Sequence, residues 1–134
     1  MKIDIDCFPI DKPNKNNRIY NQKNLKKAID TYKELFITSK TSIGEFVDSQ
    51  QLETTINMKN ASHLITDLIL CKNGMVEGKI QVLCTPKGKQ LEEIIHDKEK
   101  YKVLPRIYGT IDNEGNVDIH RIISFDIVQR GALL

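Results

Sequence analysis

Residues 60–89, NASHLITDLILCKNGMVEGKIQVLCTPKGK, decide how this chain folds. Two apolar runs flank Lys72-Asn73-Gly74, and Asn-Gly supplies the positive-φ positions that a tight hairpin turn needs. Strict alternation places His63, Ile65, Asp67, Ile69 and Cys71 on one face of the first strand, and Leu64, Thr66, Leu68 and Leu70 on the other. In the second strand Val76, Ile80, Val82 and Cys84 oppose Gln81 and Leu83, with Gly78 marking a bulge. Both faces are largely apolar, so the hairpin is expected in the middle of a sheet.

On its N-terminal side, residues 1–10 alternate as a half-buried strand stopped by Pro9 and Pro13. Residues 14–18 are too polar to bury and read as a loop. A helix is expected from Asn21, which can cap it, with Leu25, Ala28, Ile29, Tyr32 and Leu35 on one face. Lys23, Lys26, Lys27 and Lys33 lie mostly opposite, interrupted by Asp30 and Glu34, as a solvated face would be. Residues 38–42 read as a loop, 43–47 as a short strand, and 52–58 as a further strand on composition.

On the C-terminal side, Thr85-Pro86-Lys87-Gly88 closes the hairpin's second strand. Leu91, Ile94 and Ile95 define a short amphipathic helix, with Glu92 and Glu93 early and Lys98 and Lys100 late, in line with the helix dipole. Residues 101–111 and 117–128 form a second strand pair around Asp112-Asn113-Glu114-Gly115-Asn116. Pro105 must sit at a bulge or on an edge there. Residues 130–134 read as a loosely attached tail. The sum is one α+β domain spanning residues 1–134, with a mostly antiparallel sheet or partly open β-barrel flanked by two helices.

Composition sets further bounds. A 134-residue chain with 28% charged and 40% hydrophobic residues can bury a core unaided. A net charge of +2 is too mild to argue for nucleic acid. Cys7, Cys71 and Cys84 are odd in number, lie in apolar contexts and contain no Cys-x-x-Cys pair. They read as buried hydrophobes in a reducing compartment, not as disulfides or metal ligands. Neither a membrane-spanning run nor a signal-peptide pattern is present in the sequence, which points to the cytosol.

For chemistry, no phosphate loop, paired-carboxylate motif or metal cluster is visible, and no cofactor or metal is expected. Of the three histidines, His96 and His120 fall at solvent-facing positions. His63 follows Ser62, and alternation should point these neighbours to opposite faces, so they are not expected to act as a dyad. Cys84 is the available thiol for a His63 base, although buried cysteines are usually inert.

Several runs, in order, resemble the prohead (capsid maturation) proteases of tailed phages of the T4-like kind, which are related in fold to herpesvirus assemblins. Asn17-Arg18-Ile19-Tyr20 is similar to the family's Asn-Gly-Arg-x-Tyr, and Gly44-Glu45-Phe46 to its Gly-Glu-Leu, although the Asp-His-Pro that usually follows is missing. Ala61-Ser62-His63-Leu64-Ile65 resembles the Ser-His-x-Ile run carrying the catalytic histidine. Gly78-Lys79-Ile80 through Leu83, Thr85-Pro86 and Gly88-Lys89 resemble the next strand and turn. Phe125-Asp126-Ile127-Val128 resembles the closing Phe-Asp-x-Val. The resemblance implies a protease-like fold, His63 as base, and partners among phage capsid or scaffold proteins in the host cytoplasm or the virion head.

The nucleophile run departs from the pattern. Where the family has Val-Ser-Ser-Arg-Gly-x-Gly, this chain has Val103-Leu104-Pro105-Arg106-Ile107-Tyr108-Gly109. Arg106 and Gly109 match and are the expected binding residues; both serine positions are lost to Leu104 and Pro105. Neither offers a hydroxyl for a histidine to deprotonate. The reading that follows is a catalytically inactive relative with a structural or binding role in capsid assembly and His63 as a vestigial base. The alternatives are an active protease using Cys84 with His63, and a small phage protein that inhibits a host factor. Self-association is an expectation of the exposed strand edges.

Overall fold

The computed structural model describes residues 2–5, 17–49, 53–71 and 76–130, the first four by backbone alone. The proposed hairpin turn at 72–74, Cys7, and the end of the first strand at Pro9 and Pro13 lie outside the described residues. Among the described residues seven strands form one mixed sheet. They are β1 (Lys2–Ile5), β2 (Ile19–Tyr20), β3 (Ile43–Val47), β4 (Ala61–Leu70), β5 (Val76–Val82), β6 (Tyr101–Ile111) and β7 (Asn116–Gln129). The order is β1-β5-β4-β3-β7-β2, with β6 also on β7; the β2–β7 and β3–β7 pairs are parallel and the rest antiparallel. This is the expected open α+β arrangement. The β4–β5 hairpin is central, flanked by β1 and β3.

Helix α1 (Gln22–Tyr32) starts where Asn21 accepts the Asn24 amide through its side chain, as expected. Leu25, Ala28, Ile29 and Tyr32 are buried, and Tyr32 meets Phe125 edge-on at 5.3 Å between ring centres. Leu35 departs from this face and is exposed. The chain passes after Tyr32 into a π-helical turn over Lys33–Ile37, which changes the rotation per residue and brings Phe36 inward in its place.

Helix α2 (Pro86–Glu92) begins earlier than its apolar residues indicate. Thr85 caps it, accepting the Gly88 amide at 2.9 Å, and Pro86 takes the first turn. Glu92 therefore ends the helix instead of opening it, and the expected charge match to the dipole is not there. The expected strand over 52–58 is not a strand either. Residues 53–57 are irregular and lead into a 3₁₀ turn at Met58–Asn60. The backbone there bonds to side chains rather than to a neighbouring strand.

The hairpin's alternation is broken twice, and both breaks are in β4. Gly44 pairs with His63 and Glu45 with Ala61, so Ser62 is an extra residue opposite β3. Ile65 pairs with Ile80 and Asp67 with Lys79, so Thr66 is an extra residue opposite β5. The second bulge is thus at Thr66 and not at Gly78, and it exchanges the faces: Leu68 is buried while Ile69 is half exposed. Strand β5 ends at Val82, and Cys84 beyond it is exposed. Cys71 is half-buried, so the picture of fully buried cysteines fails for both described thiols.

Candidate functional site

Three strands cross one section of the sheet in register. Phe125 on β7 pairs with Pro105 on β6, and Asp126 pairs with Leu104, while β3 supplies Gly44 and Glu45 from the other side. His63 reaches this section from β4, over Gly44. A Cβ on Gly44 would lie 2.0 Å from His63 Nε2 and 2.5 Å from the Phe125 carbonyl oxygen. Glycine is therefore required: the imidazole occupies the space a side chain would take.

His63 is wholly buried, with 0% of its surface exposed. Its Nε2 lies 2.8 Å from the Phe125 carbonyl, which can only accept, so Nε2 carries the proton. Its Nδ1 then presents a lone pair to the Ser62 hydroxyl at 2.7 Å. The expectation that Ser62 and His63 point apart is corrected here: the bulge at Ser62 turns consecutive side chains together. Burial drives the His63 pKa down to about 4, with the Phe125 hydrogen bond opposing, so the ring is neutral at pH 7. Both ring nitrogens are occupied within the protein, and Cys84 is the partner of neither.

One position along each strand lies a charged cluster that sequence reasoning did not assemble. Arg106 is 3% exposed, Glu45 1% and Asp126 3%. Arg106 donates from Nη2 to Glu45 at 2.7 Å and from Nε to Asp126 at 2.9 Å. Its Nη1 donates to the carbonyls of Thr55 at 3.0 Å and Glu53 at 3.2 Å. Glu45 also accepts from the Asn57 amide and the Asn60 side chain. Asp126 accepts from the Glu45 amide and the Ser124 hydroxyl. Segment 53–60 is thus a strap held over the cluster by Arg106 and Glu45.

Two carboxylates share one guanidinium, and their pKa values are shifted in opposite directions. Burial pushes Glu45 up, but Arg106, Asn60 and Asn57 outweigh it and leave its pKa below the usual range. Burial raises Asp126 above the usual range, against the pull of Arg106. Burial also pushes the nearby Tyr32 phenol up to about 12, its hydrogen bond to Ser42 opposing and the Asp126 charge adding. Every buried side-chain polar atom among the described residues has a partner.

The predicted binding residues are thus separated. Arg106 is internal, with its donors taken up inside the protein. Gly109 is exposed on β6, where an added Cβ would lie 2.2 Å from the Asp118 carbonyl, so close backbone approach and not flexibility accounts for the glycine. Leu104 is half-buried and Pro105 buried. Pro105 has no N–H to give, and the Phe125 carbonyl accepts from His63. His96 and His120 are exposed, as expected. Among the described residues no cluster of histidine, cysteine and carboxylate side chains could hold a metal, and no helix is long and apolar enough to cross a membrane. Glu45 and Asp126 were within reach of the sequence, in Gly44-Glu45-Phe46 and Phe125-Asp126-Ile127-Val128. Nothing local ties either to Arg106.

No protein-family model matches this chain, and no curated protein sequence does. Among solved structures it is similar to the bacteriophage T4 capsid assembly protease gp21, with a TM-score of 0.69 over 95% of this chain and 76% of that one, at 23% sequence identity. The chain has a capsid-protease-like fold.

Proposed function

We propose that this is a phage protein that keeps a prohead-protease scaffold without its chemistry and serves a structural or binding role in capsid assembly. One observation carries the reading. The run resembling the nucleophile segment offers Leu104 and Pro105 where a hydroxyl is needed, beside a histidine with both nitrogens already bonded internally. A general base needs a free lone pair directed at the nucleophile's proton. Among the described residues the hydroxyl bonded to His63 is that of Ser62, which is itself 0% exposed and out of reach of a peptide.

In this role the protein's partners are capsid or scaffold proteins, met in the host cytoplasm during assembly or in the virion head. Arg106 contributes indirectly by fixing strap 53–60, and Gly109 by allowing β6 and β7 to approach closely. The test is incubation of the purified protein with the capsid and scaffold proteins of its phage. Binding without cleavage is expected; cleavage that His63→Ala abolishes would refute the reading.

A further inference from the structure

The outer half of β6 is built differently from its inner half. Ile107-Tyr108-Gly109-Thr110-Ile111 contains no charged residue and no proline, in a chain that is 28% charged. Tyr108 is 52% exposed and Ile111 50%, and among the described residues β6 pairs with no strand other than β7. The bulges of this ribbon do not blunt its edge. Arg106 pairs with Ser124 and Ile107 with Ile122, then Tyr108 with Arg121 and Gly109 with Ile119. The extra residues, Ile123 and His120, are both on β7, and β6 stays regularly pleated. Exposed edges usually carry lysine, proline or a bulge of their own to prevent pairing with another chain. This one carries none of them.

We infer that residues 107–111 of β6 pair antiparallel with the same residues of a second copy of this chain, about a twofold axis at Gly109. Charge selects the second copy as occupant. A twofold axis sets each strand against its own reverse, so a charged edge would bring its charges close to their like; this edge has none. In that register Ile107 faces Ile111 of the other copy and Tyr108 faces Thr110, each twice, giving four uncharged cross-strand pairs. A register shift of two residues would bring Asp112 against Tyr108, and a shift of four would bring it against Thr110, which favours the axis at Gly109. Arg121, whose guanidinium lies 5.7 Å from the Tyr108 ring centre, stays on β7 and outside the new ladder.

Five residues a side bury less than the roughly 1,200 Å² of stable complexes. The dimer is therefore weak, with a dissociation constant on the order of 100 μM. Sedimentation of the purified protein over a concentration series tests it, with no capsid protein present, so the outcome is independent of the function proposed above. Wild type is expected to pass from monomer to dimer across the series. Ile111→Lys and Thr110→Asp, both at exposed positions, are expected to remain monomeric with unchanged thermal melting. Wild type that is monomeric up to about 1 mM overturns the inference, and so does a dimer that persists in both variants.

Discussion

Strands β6 and β7 run side by side from one end to the other, yet their two halves follow opposite rules. From Tyr101 to Arg106 the ribbon is covered. Phe125 packs against Tyr32 of α1, and Arg106 lies under strap 53–60 with Glu45 and Asp126. From Ile107 to Ile111 Tyr108 and Ile111 face solvent. Where the ribbon is covered, each polar group had to find a partner within the protein, because an unpaired buried group is expensive. Where it is open, water serves, and Arg121 needs only the face of Tyr108. One ladder thus joins a covered segment with internally paired polar groups to a segment that faces solvent.

The largest contrast between the halves is expected from their arginines. Arg106→Met removes the cation and leaves Glu45 and Asp126 buried together, at a cost of about 3–5 kcal/mol. Arg121→Met removes an exposed cation from the open half and should change stability by less than about 0.5 kcal/mol. Urea unfolding of both variants measures the gap. Equal effects would mean that the buried cluster relaxes into water and that strap 53–60 is not held as the structure has it.

Next comes pH, acting through His63. Its pKa of about 4 in the folded protein is below the 6.5 of a free histidine. Its contribution is therefore fully present above pH 6.5 and is lost as pH falls through 4, reaching about 3 kcal/mol. Glu45 and Asp126 are shifted as well, the first down by its hydrogen bonds and the second up by burial. The readout is thus the difference between wild type and His63→Gln. The stability of the variant should fall less steeply between pH 6.5 and 4.5; parallel curves would show that the ring meets water in the folded state. A smaller effect belongs to Ser62→Ala, which leaves Nδ1 of His63 buried without a donor and should cost about 1–3 kcal/mol in the same measurement.

The division between covered and open halves also separates what the sequence discloses from what it hides. Periodicity placed β3 at 43–47 and β6 at 101–111, and Asn21 announced α1, because each follows from a local pattern. The bulges at Ser62 and Thr66 have no such pattern. An inserted residue looks like any other until a partner strand counts it, and a single insertion reverses every later face. That is why Ile69 faces out and why Ser62 meets His63. The strap is hidden from the sequence for the converse reason. Thr54, Thr55 and Ile56 favour a strand, but Arg106, some fifty residues on, takes the carbonyls of Glu53 and Thr55. The start of α2 was legible in Thr85-Pro86, a capping residue followed by a first-turn proline, and was obscured by reading that pair only as the end of a strand.

The smallest expected effect is the most informative about the covered half. Restoring a hydroxyl by Leu104→Ser or Pro105→Ser would repair the departure from the resembled motif, yet no hydrolysis should appear. The nitrogen nearest this section, Nε2, holds its proton toward the Phe125 carbonyl, and the lone pair is on Nδ1, facing Ser62. To serve a new serine the buried ring would have to change tautomer and give up both hydrogen bonds. On the function proposed above, the absent serine is one obstacle and the internally bonded base is the other. A fluorophosphonate probe and a fluorogenic peptide series on each serine variant, with Ser62→Ala added to free Nδ1, distinguish them. Labelling of Pro105→Ser that disappears with His63→Ala would show that the base had remained competent and that its burial is shallower than the structure has it.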